Sequence, residues 1–194
     1  MRAGMRPTGR AILLSLALLS AGGAAQAFDA SGEQPKPMAA QGSLQVAFTP
    51  GDDIEGLIAE TLGQARKQVL VQAYIFTSKP LTAALIAARK RGVDVRVLVD
   101  AGQLNKSGRD RIAELQHAGI QVRQETRYKS AHNKVIVIDA DNAEATVITG
   151  SYNFTWTAQN KNAENILVAR KNPPLAVKYA ANWMRHFQDA EAYQ

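Results

Sequence analysis

The sequence predicts an α/β fold in which a mixed, largely parallel central sheet is flanked by helices on both faces. Short runs of β-branched and apolar residues alternate with longer segments whose apolar residues recur at helical spacing. Proline and glycine stand at the joins between them, as at Pro80 and Gly92. Hydrophobic residues make up 46% and charged residues 21% of the 194 residues, which is typical of a globular domain.

The first 27 residues have the pattern of a secretory signal peptide. Three arginines precede the apolar run Ala11–Ala24, which is short for a membrane span. Small residues at 25–27 then precede Phe28, as at a cleavage site. We therefore expect cleavage near Ala27 and a periplasmic or secreted protein. This segment contains three arginines and no acid, so its removal lowers the formal charge from +6 to +3. Such a mild positive charge does not by itself identify a polyanionic partner.

Residues 28–43 are rich in small residues, proline and glycine and predict a flexible arm, whereas residues 44–194 predict one domain. The chain has no cysteine, which excludes disulfides and thiolate metal sites. It also has no H-x-H or H-E-x-x-H motif and no tight carboxylate cluster. We therefore expect neither a metal ion nor another cofactor.

Strands and helices alternate along the domain. The predicted strands are residues 44–50, 68–76, 93–100, 120–126, 132–139, 145–150 and 164–170. The predicted helices are residues 52–67, 80–92, 108–119 and 174–193, with a helical turn beginning near Ser151–Asn153. Asp52 or Asp53 caps the first helix, Pro80 opens the second, and Gly92 and Gly119 end the second and third.

The segment HNKVIVID, residues 132–139, carries the first chemical signal. Side chains alternate along a strand, so His132 and Lys134 point the same way, roughly 7 Å apart. An imidazole beside an ammonium suits a phosphate, because the lysine attracts negative charge and favours the neutral, nucleophilic imidazole. Asp139 is an odd number of residues from His132 and is expected to face the other side and serve the structure. Taken alone, the spacing also suits an ordinary strand with polar ends.

Two later segments add groups that suit the same chemistry. In TGSYNFT, the backbone around Gly150, the hydroxyl of Ser151 and the amide of Asn153 could bind an anion, although serine and asparagine are also common helix caps. Glu164 directly precedes an apolar strand and could accept a hydrogen bond from the second ring nitrogen of His132. Taken alone, this glutamate would be a solvated loop acid.

Together these residues resemble the HKD motif of the phospholipase D superfamily. Residues 69–100 and 150–168 resemble the segments that flank this motif in the small bacterial endonucleases of the superfamily. The resemblance extends from about Val46 to the last helix and implies an α/β/α sandwich, with residues 44–194 as the catalytic domain. More residues separate Asp139 from Gly150 than in the family pattern. We expect the additional ones to form a longer hairpin loop at Ala140–Glu144.

The resemblance implies a phosphodiesterase that acts through a phosphohistidine and needs no metal ion. By the same resemblance, His132 is the nucleophile and Lys134 and Asn153 bind the phosphoryl oxygens. Ser151 supports them, and Glu164 orients His132.

The family also uses a second histidine to protonate the leaving group. His117 and His186 lie in predicted helices without a second motif nearby and are expected to be surface or capping residues. The resemblance therefore implies a symmetric homodimer in which each chain contributes one His132 to a site shared across the two-fold axis.

The favoured substrate is DNA, cleaved without sequence specificity, and RNA is left open. Arg123, Arg127 and Lys129 could contact substrate phosphates, and the last two are favoured because they lie just ahead of His132. Tyr152 or Trp156 could stack on a base, although packing under the following helix is the favoured interpretation. One alternative is a phospholipase D that hydrolyses phospholipid headgroups. A second is a non-catalytic, nucleic-acid-binding envelope protein with the same fold.

Overall fold

The computed structural model describes Met1, Gly32 and residues 34–193. The predicted signal peptide beyond Met1, and residues 28–31 and 33 of the predicted arm, lie outside the described residues. A folded unit begins at Met38, and its first strand begins at Ser43.

Within the described residues the chain forms eight strands, five α-helices and a short 3-10 helix at Ala101–Gln103. The strands are β1 (Ser43–Thr49), β2 (Gln68–Ala73), β3 (Asp94–Asp100), β4 (Gln121–Glu125), β5 (Lys134–Ile138), β6 (Thr146–Gly150), β7 (Glu164–Arg170) and β8 (Glu191–Ala192). The helices are α1 (Ile54–Gly63), α2 (Lys79–Lys90), α3 (Lys106–His117), α4 (Trp156–Asn160) and α5 (Pro173–Asp189). As predicted, Asp53 caps α1, because its carboxylate accepts a hydrogen bond from the N–H of Gly56.

The strands form one sheet with the order β1-β7-β6-β5-β2-β3-β4-β8. Strands β2, β3 and β4 pair in parallel, and the other neighbours pair antiparallel. These pairings make β1, β2, β3, β4 and β6 run in one direction and the other three strands in the opposite direction. The prediction of a mixed α/β sheet is therefore confirmed, and parallel pairing is confined to β2, β3 and β4.

Helices cover both faces of the sheet, as predicted. The apolar stripe of α1, which includes Ile54, Ile58 and Leu62, packs with α2 and α3 in a core on one face. On the other face, α5 buries Trp183 and Phe187 against residues of the central strands. Each face thus withdraws an apolar layer from water, which is the main driving force for this architecture.

The predicted helical turn at Ser151–Asn153 is wrong, because the helix begins only at Trp156. The preceding residues stay extended: the N–H of Ser151 donates to the carbonyl of Asn165, and that of Phe154 donates to the carbonyl of Ile75. Thr155 then caps α4 by accepting a hydrogen bond from the N–H of Ala158. The closing helix is also shorter than predicted, since α5 ends at Asp189 and β8 follows it.

The β5–β6 hairpin accommodates the additional residues before Gly150. Ile138 pairs with Thr146 and Val135 pairs with Thr149, so the register is regular along the whole hairpin. The predicted loop at Ala140–Glu144 is therefore confirmed as part of the turn, and it lies at the end of β5 away from His132. No helix among the described residues has the length and apolar character needed to cross a membrane.

Candidate active site

The predicted catalytic residues gather at one end of three neighbouring strands. Strand β6 ends there, and β5 and β7, which lie on either side of it, begin there. Lys134 opens β5, Gly150 closes β6 and Glu164 opens β7. Because neighbouring strands lie about 4.8 Å apart, the register alone brings these three residues close together.

His132 and Lys134 meet on the ring of Tyr74. The structure places His132 two residues ahead of β5 rather than within a strand, and the imidazole is exposed. The Lys134 ammonium donates to the carbonyl of His132 at 2.9 Å. The Tyr74 ring lies 4.3 Å from the imidazole centroid and 4.7 Å from the Lys134 Nζ. The accessible imidazole and the sheltered cation therefore both contact the Tyr74 ring.

The surroundings of Lys134 act on its charge in opposite directions. The residue is only 6% exposed, and this burial lowers the pKa of its ammonium below the usual value. The nearby Glu164 carboxylate opposes the shift by raising the same pKa. Glu164 and Lys134 thus act on each other electrostatically within one site.

Ser151 and Glu164 are joined by a hydrogen bond. The Ser151 hydroxyl donates to Glu164 Oε2 at 2.5 Å, and the Asn162 side chain donates to Oε1 at 2.8 Å. Ser151 Oγ also accepts the backbone N–H of Asn165 at 3.0 Å. These bonds fix the carboxylate, but none of them reaches His132 within the described residues. The orienting role of Glu164 toward His132 therefore stays a prediction.

Gly150 allows β6 and β7 to approach closely at this point. A Cβ atom on Gly150 would stand 2.2 Å from the carbonyl oxygen of Asn165, a distance that real Cβ contacts do not show. The absence of a side chain at this position is therefore needed for Ser151 to reach Glu164 and Asn165.

Asn153 stands in the extended segment after β6 and lines a cleft of about 280 Å³. Its Oδ1 atom is shielded from solvent and has no hydrogen-bond partner in the described part of the chain. An unsatisfied amide of this kind is costly unless a ligand or water completes it. This environment is compatible with the predicted contact between Asn153 and a phosphoryl oxygen.

Asp139 lies at the opposite end of β5 from His132. Its buried carboxylate accepts three backbone N–H groups, from Arg66 at 2.9 Å, Lys67 at 2.7 Å and Gln68 at 2.8 Å. These bonds tie the start of β2 to the end of β5. These contacts are compatible with the structural role predicted for Asp139, which stays a prediction.

Comparison with known proteins identifies the family. Residues 58–189 match the family described as "Cardiolipin synthase, PLD-like domain". The chain belongs to the phospholipase D superfamily. A protein named phospholipase D from Rickettsia bellii is 40% identical over 141 residues, which are 73% of this chain and 67% of that protein. A mitochondrial cardiolipin hydrolase from Xenopus laevis is 34% identical over 112 residues, or 58% of this chain and 50% of that protein.

Solved structures agree with this assignment. The phospholipase D family member Nuc from Salmonella typhimurium superposes with a TM-score of 0.74 at 31% identity, covering 78% of this chain and 98% of Nuc. NucT from Helicobacter pylori superposes with a TM-score of 0.69 at 20% identity, covers 78% of this chain and 99% of NucT, and shows the shared fold. The chain is therefore a phosphodiester hydrolase of the phospholipase D superfamily, as its sequence predicts.

The basic residues ahead of His132 differ in the contacts that their side chains make. Arg123 donates to the carbonyl of Phe187 at 2.8 Å and stacks over its ring, so it supports the end of α5 instead of facing substrate. Arg127 forms an ion pair with Asp189 at 2.8 Å, whereas Lys129 is exposed and forms no ion pair within residues 34–193. Substrate contacts by Arg127 and Lys129 stay predictions, with Lys129 the more available of the two.

The two other histidines of this phospholipase D-like domain have different surroundings. His117 is exposed near the end of α3, as expected. The expectation for His186 is wrong, because its side chain is mostly buried and its Nδ1 contacts Glu125 at 2.6 Å. Glu125 also accepts two hydrogen bonds from Gln72. The sequence did not predict this network, because a glutamate at the end of a strand is usually solvated.

Tyr74 was also missed, since nothing local marks an aromatic residue after a central strand as part of a phospholipase D site. Replacement of Tyr74 by leucine is expected to lower kcat about 3- to 30-fold, because a cation on an aromatic face is stabilised by about 0.5–2 kcal/mol. Loss of the ring also disfavours the charged Lys134, so the alkaline limb of the pH–rate profile should move to lower pH. The profile is measured on bis(p-nitrophenyl) phosphate, a minimal phosphodiester.

Tyr74→Phe is the matched control, because it keeps the aromatic face and removes only the hydroxyl. Its alkaline limb should stay close to that of the wild type. Identical pH profiles for the leucine and phenylalanine variants would contradict a role for the ring.

Proposed function

We propose that the protein is a sequence-nonspecific, metal-independent endonuclease that cleaves DNA, with RNA as a further substrate. The observation that carries this proposal is a group of exposed lysines in the connections, or at the start of the helices, at the end of the strands where the site lies. They make no ion pair within residues 34–193, and they are Lys79, Lys106, Lys129 and Lys161. Unpaired cations around a phosphodiester site favour a polyanionic substrate, because each can replace counterions on the phosphate backbone.

The acidic side chains at the same end of the strands accept hydrogen bonds from groups of the protein. Asp52 accepts the N–H of Phe48, Asp53 caps α1, and Glu55 accepts the hydroxyl of Ser78. Their charges are thus partly compensated by hydrogen bonds, while the lysines remain available. This difference supports binding of a phosphate backbone across the site.

The proposed reaction divides one difficult displacement into two steps. The His132 imidazole attacks phosphorus, the bond to the leaving oxygen breaks with its electron pair, and a phosphohistidine forms. Lys134 and Asn153 stabilise the charge that develops on the phosphoryl oxygens. Water then attacks phosphorus, the P–N bond breaks, and His132 is released.

The leaving oxygen needs a proton, and within residues 34–193 no hydrogen bond or ring contact joins either of the two other histidines of the sequence to His132 or Lys134. His117 lies near the end of α3, and His186 is bound to Glu125. We therefore propose a homodimer in which His132 of the partner subunit donates this proton and afterwards accepts one from the attacking water.

An exposed apolar stripe on β1 supports the dimer and suggests its surface. The stripe consists of Leu44, Val46 and Phe48, which alternate along the strand and remain open to solvent. Phe48 pairs with Asn165, whose N–H binds Ser151, so the stripe extends to the site itself. We propose that a second copy of the chain covers this stripe and brings the two sites together.

The dimer is tested by placing a charge in the stripe. Val46→Glu should give a monomer by light scattering and lose phosphodiesterase activity. The matched control is Val177→Glu on α5, because Val177 is 53% exposed against 58% for Val46 and lies outside the stripe. A wild-type protein that is active as a monomer at nanomolar concentration would contradict the shared site.

A phospholipase D acting on phospholipids is the second candidate. It is favoured by the relative named phospholipase D that is 40% identical to this chain and by the cardiolipin hydrolase that is 34% identical. A lipid substrate would use the same His132 and Lys134. A non-catalytic nucleic-acid-binding protein is the third candidate, and the coexistence of His132, Lys134, Asn153 and Glu164 argues against it.

One assay separates the three candidates. Protein lacking residues 1–27 is incubated with EDTA and either plasmid DNA or vesicles of phosphatidylcholine and cardiolipin. We expect nicked and linear plasmid and intact lipid. Lipid hydrolysis without DNA cleavage would establish the second candidate, and turnover of neither substrate, with or without added divalent ions, would favour the third. Cleavage that EDTA abolishes would contradict metal independence alone.

We also propose that the protein is exported and cleaved near Ala27, on the evidence of the signal-peptide pattern. N-terminal sequencing of protein recovered from the periplasm or the medium should give Phe28 as the first residue. Recovery of the intact N-terminus from the cytoplasm alone would contradict export.

A further inference from the structure

Trp156 exposes an aromatic face beside the candidate site. The residue is 60% exposed, so the expectation that it packs beneath the following helix is wrong. Tyr152 does pack as expected, because it is buried among core residues. The second tryptophan, Trp183, is fully buried, and its indole donates to the carbonyl of Val71. Trp156 is thus a large apolar side chain that the fold does not use in its core.

The segment that carries Trp156 is held firmly. Thr155 caps α4, and the Asn160 side chain donates back to the carbonyl of Trp156 at 2.9 Å. The hydroxyl of Thr49 on β1 contacts the carbonyls of Ala158 and Asn162. These contacts hold the backbone that presents the ring, and a preorganised aromatic face loses little entropy on binding.

Two adjoining clefts connect Trp156 with Asn153. The first cleft, of about 280 Å³, contains Asn153, and the second, of about 420 Å³, contains Trp156. Thr77 lines both clefts, so they adjoin at this residue, and we call the two clefts together the groove. A chain bound with a phosphate at Asn153 can therefore continue along this groove toward the tryptophan.

The chemistry of the groove suits a nucleotide strand. The part near Asn153 is lined by hydroxyl and amide side chains, which are Thr77, Asn105, Thr155, Thr157 and Asn162. Lys79 and Glu55 line the part near Trp156, where the Glu55 carboxylate accepts the Ser78 hydroxyl, and Lys161 Nζ lies 5.8 Å from the tryptophan ring centroid. Aromatic faces bind bases by stacking, and neighbouring cations bind the backbone. Insertion into a membrane favours a cluster of apolar side chains, whereas the neighbours of Trp156 in sequence include the polar residues Thr157, Asn160 and Lys161.

We propose that Trp156 stacks on a base that flanks the scissile phosphate, while the groove from Asn153 to Trp156 holds the intervening sugar–phosphate backbone of a single strand. This inference rests on the proposed nuclease function, and it adds a base-binding subsite to it. Because every base has a stacking face, the subsite does not require a particular sequence.

Intrinsic fluorescence tests the stacking directly. The His132→Ala protein, which should bind without cleaving, is titrated with a single-stranded oligonucleotide that contains bases and with an abasic strand of equal length. We expect the first to quench Trp156 emission and the second to leave it unchanged, since Trp183 is buried. His132→Ala/Trp156→Phe should lose the quenching. Binding of the base-containing strand, seen by anisotropy, without any quenching would overturn the proposal.

Kinetics supply the second measurement. Trp156→Ala should raise KM for the oligonucleotide roughly 5- to 100-fold with little change in kcat, the effect expected for one lost stacking contact. Trp156→Phe should retain most of the affinity, and neither variant should change hydrolysis of bis(p-nitrophenyl) phosphate, which is too small to span the groove. Equal loss on both substrates, or no loss on the oligonucleotide, would overturn the proposal.

The outcomes separate this inference from the proposed function. DNA cleavage that is indifferent to Trp156→Ala would remove the subsite and leave the nuclease. Vesicle hydrolysis without DNA cleavage would remove the nuclease itself. A blue shift of Trp156 emission on vesicles of phosphatidylcholine and phosphatidylglycerol, with no quenching by the oligonucleotide, would assign the ring to a membrane surface and overturn the subsite.

Discussion

His132→Ala is expected to lower kcat at least about 10⁴-fold, the scale on which loss of a covalent nucleophile reduces turnover. The reason is chemical rather than structural. The imidazole is exposed and packs only on the half-buried Tyr74 ring, so its removal should leave the fold intact while no phosphohistidine can form. Steady-state hydrolysis of bis(p-nitrophenyl) phosphate gives the loss of turnover independently of whether the natural substrate is nucleic acid or lipid.

The control is His117→Ala, which removes another exposed imidazole. His117 contacts the carbonyl of Ala113 in its own helix, so this variant should keep near wild-type turnover. If both alanine variants retain more than a tenth of the activity, His132 is not the nucleophile.

The intermediate offers a more direct measurement than the rate. An internally labelled oligonucleotide is mixed with protein and quenched in alkaline detergent, because a phosphorus–nitrogen bond to histidine survives alkali and is lost in acid. Wild-type protein should carry the label on the peptide that contains His132. His132→Ala should carry none, and label on any other residue would contradict the proposed mechanism.

Local sequence predicted most of the fold because each element carries its own signals. Asp53 caps α1, Pro80 lies in the first turn of α2, and the run of apolar residues in β5 indicated a buried strand. The odd spacing between His132 and Asp139 likewise predicted a structural role for the aspartate. Signals of this kind act over a few residues and do not need the partner strand.

The features that sequence missed arise between distant segments. Tyr74 contacts His132 only because β2 and β5 are neighbours. Glu125 forms hydrogen bonds with Gln72 and His186, which lie on other elements. Trp156 was assigned to the core because large aromatic residues usually pack, and its exposure depends on where α4 begins. The misses at Tyr74 and Glu125 concern contacts that the order of strands decides, and one sequence does not encode that order locally.

Asp139, at the other end of the HNKVIVID segment from His132, should affect the stability of the fold when it is mutated and leave the activity unchanged. Asp139→Ala is expected to destabilise the fold by about 3–5 kcal/mol, because three backbone N–H groups lose a charged acceptor in a partly buried site. The residue also has a φ of 51°, a left-handed conformation that aspartate and asparagine tolerate better than alanine. Urea unfolding at pH 7 measures this loss.

Two variants sharpen the interpretation of that loss. Asp139→Asn keeps an oxygen for Lys67 and Gln68, and it presents an amide to Arg66, so an intermediate loss of about 1–3 kcal/mol is expected. Asp141→Ala removes an exposed carboxylate of the same hairpin, whose contact with Lys67 is 4.0 Å long, and should change stability by less than about 0.5 kcal/mol.

Activity then decides between a structural and a catalytic aspartate. Below the unfolding transition, folded Asp139→Ala should hydrolyse bis(p-nitrophenyl) phosphate at near the wild-type rate, because β5 separates Asp139 from His132. A stable variant with a roughly 10³-fold lower kcat would instead require Asp139 to act on the reaction. In the proposed mechanism the two ends of the segment thus have separate roles: His132 and Lys134 act on the phosphate, and Asp139 accepts backbone hydrogen bonds, while the buried apolar residues between them fix the distance between the two ends.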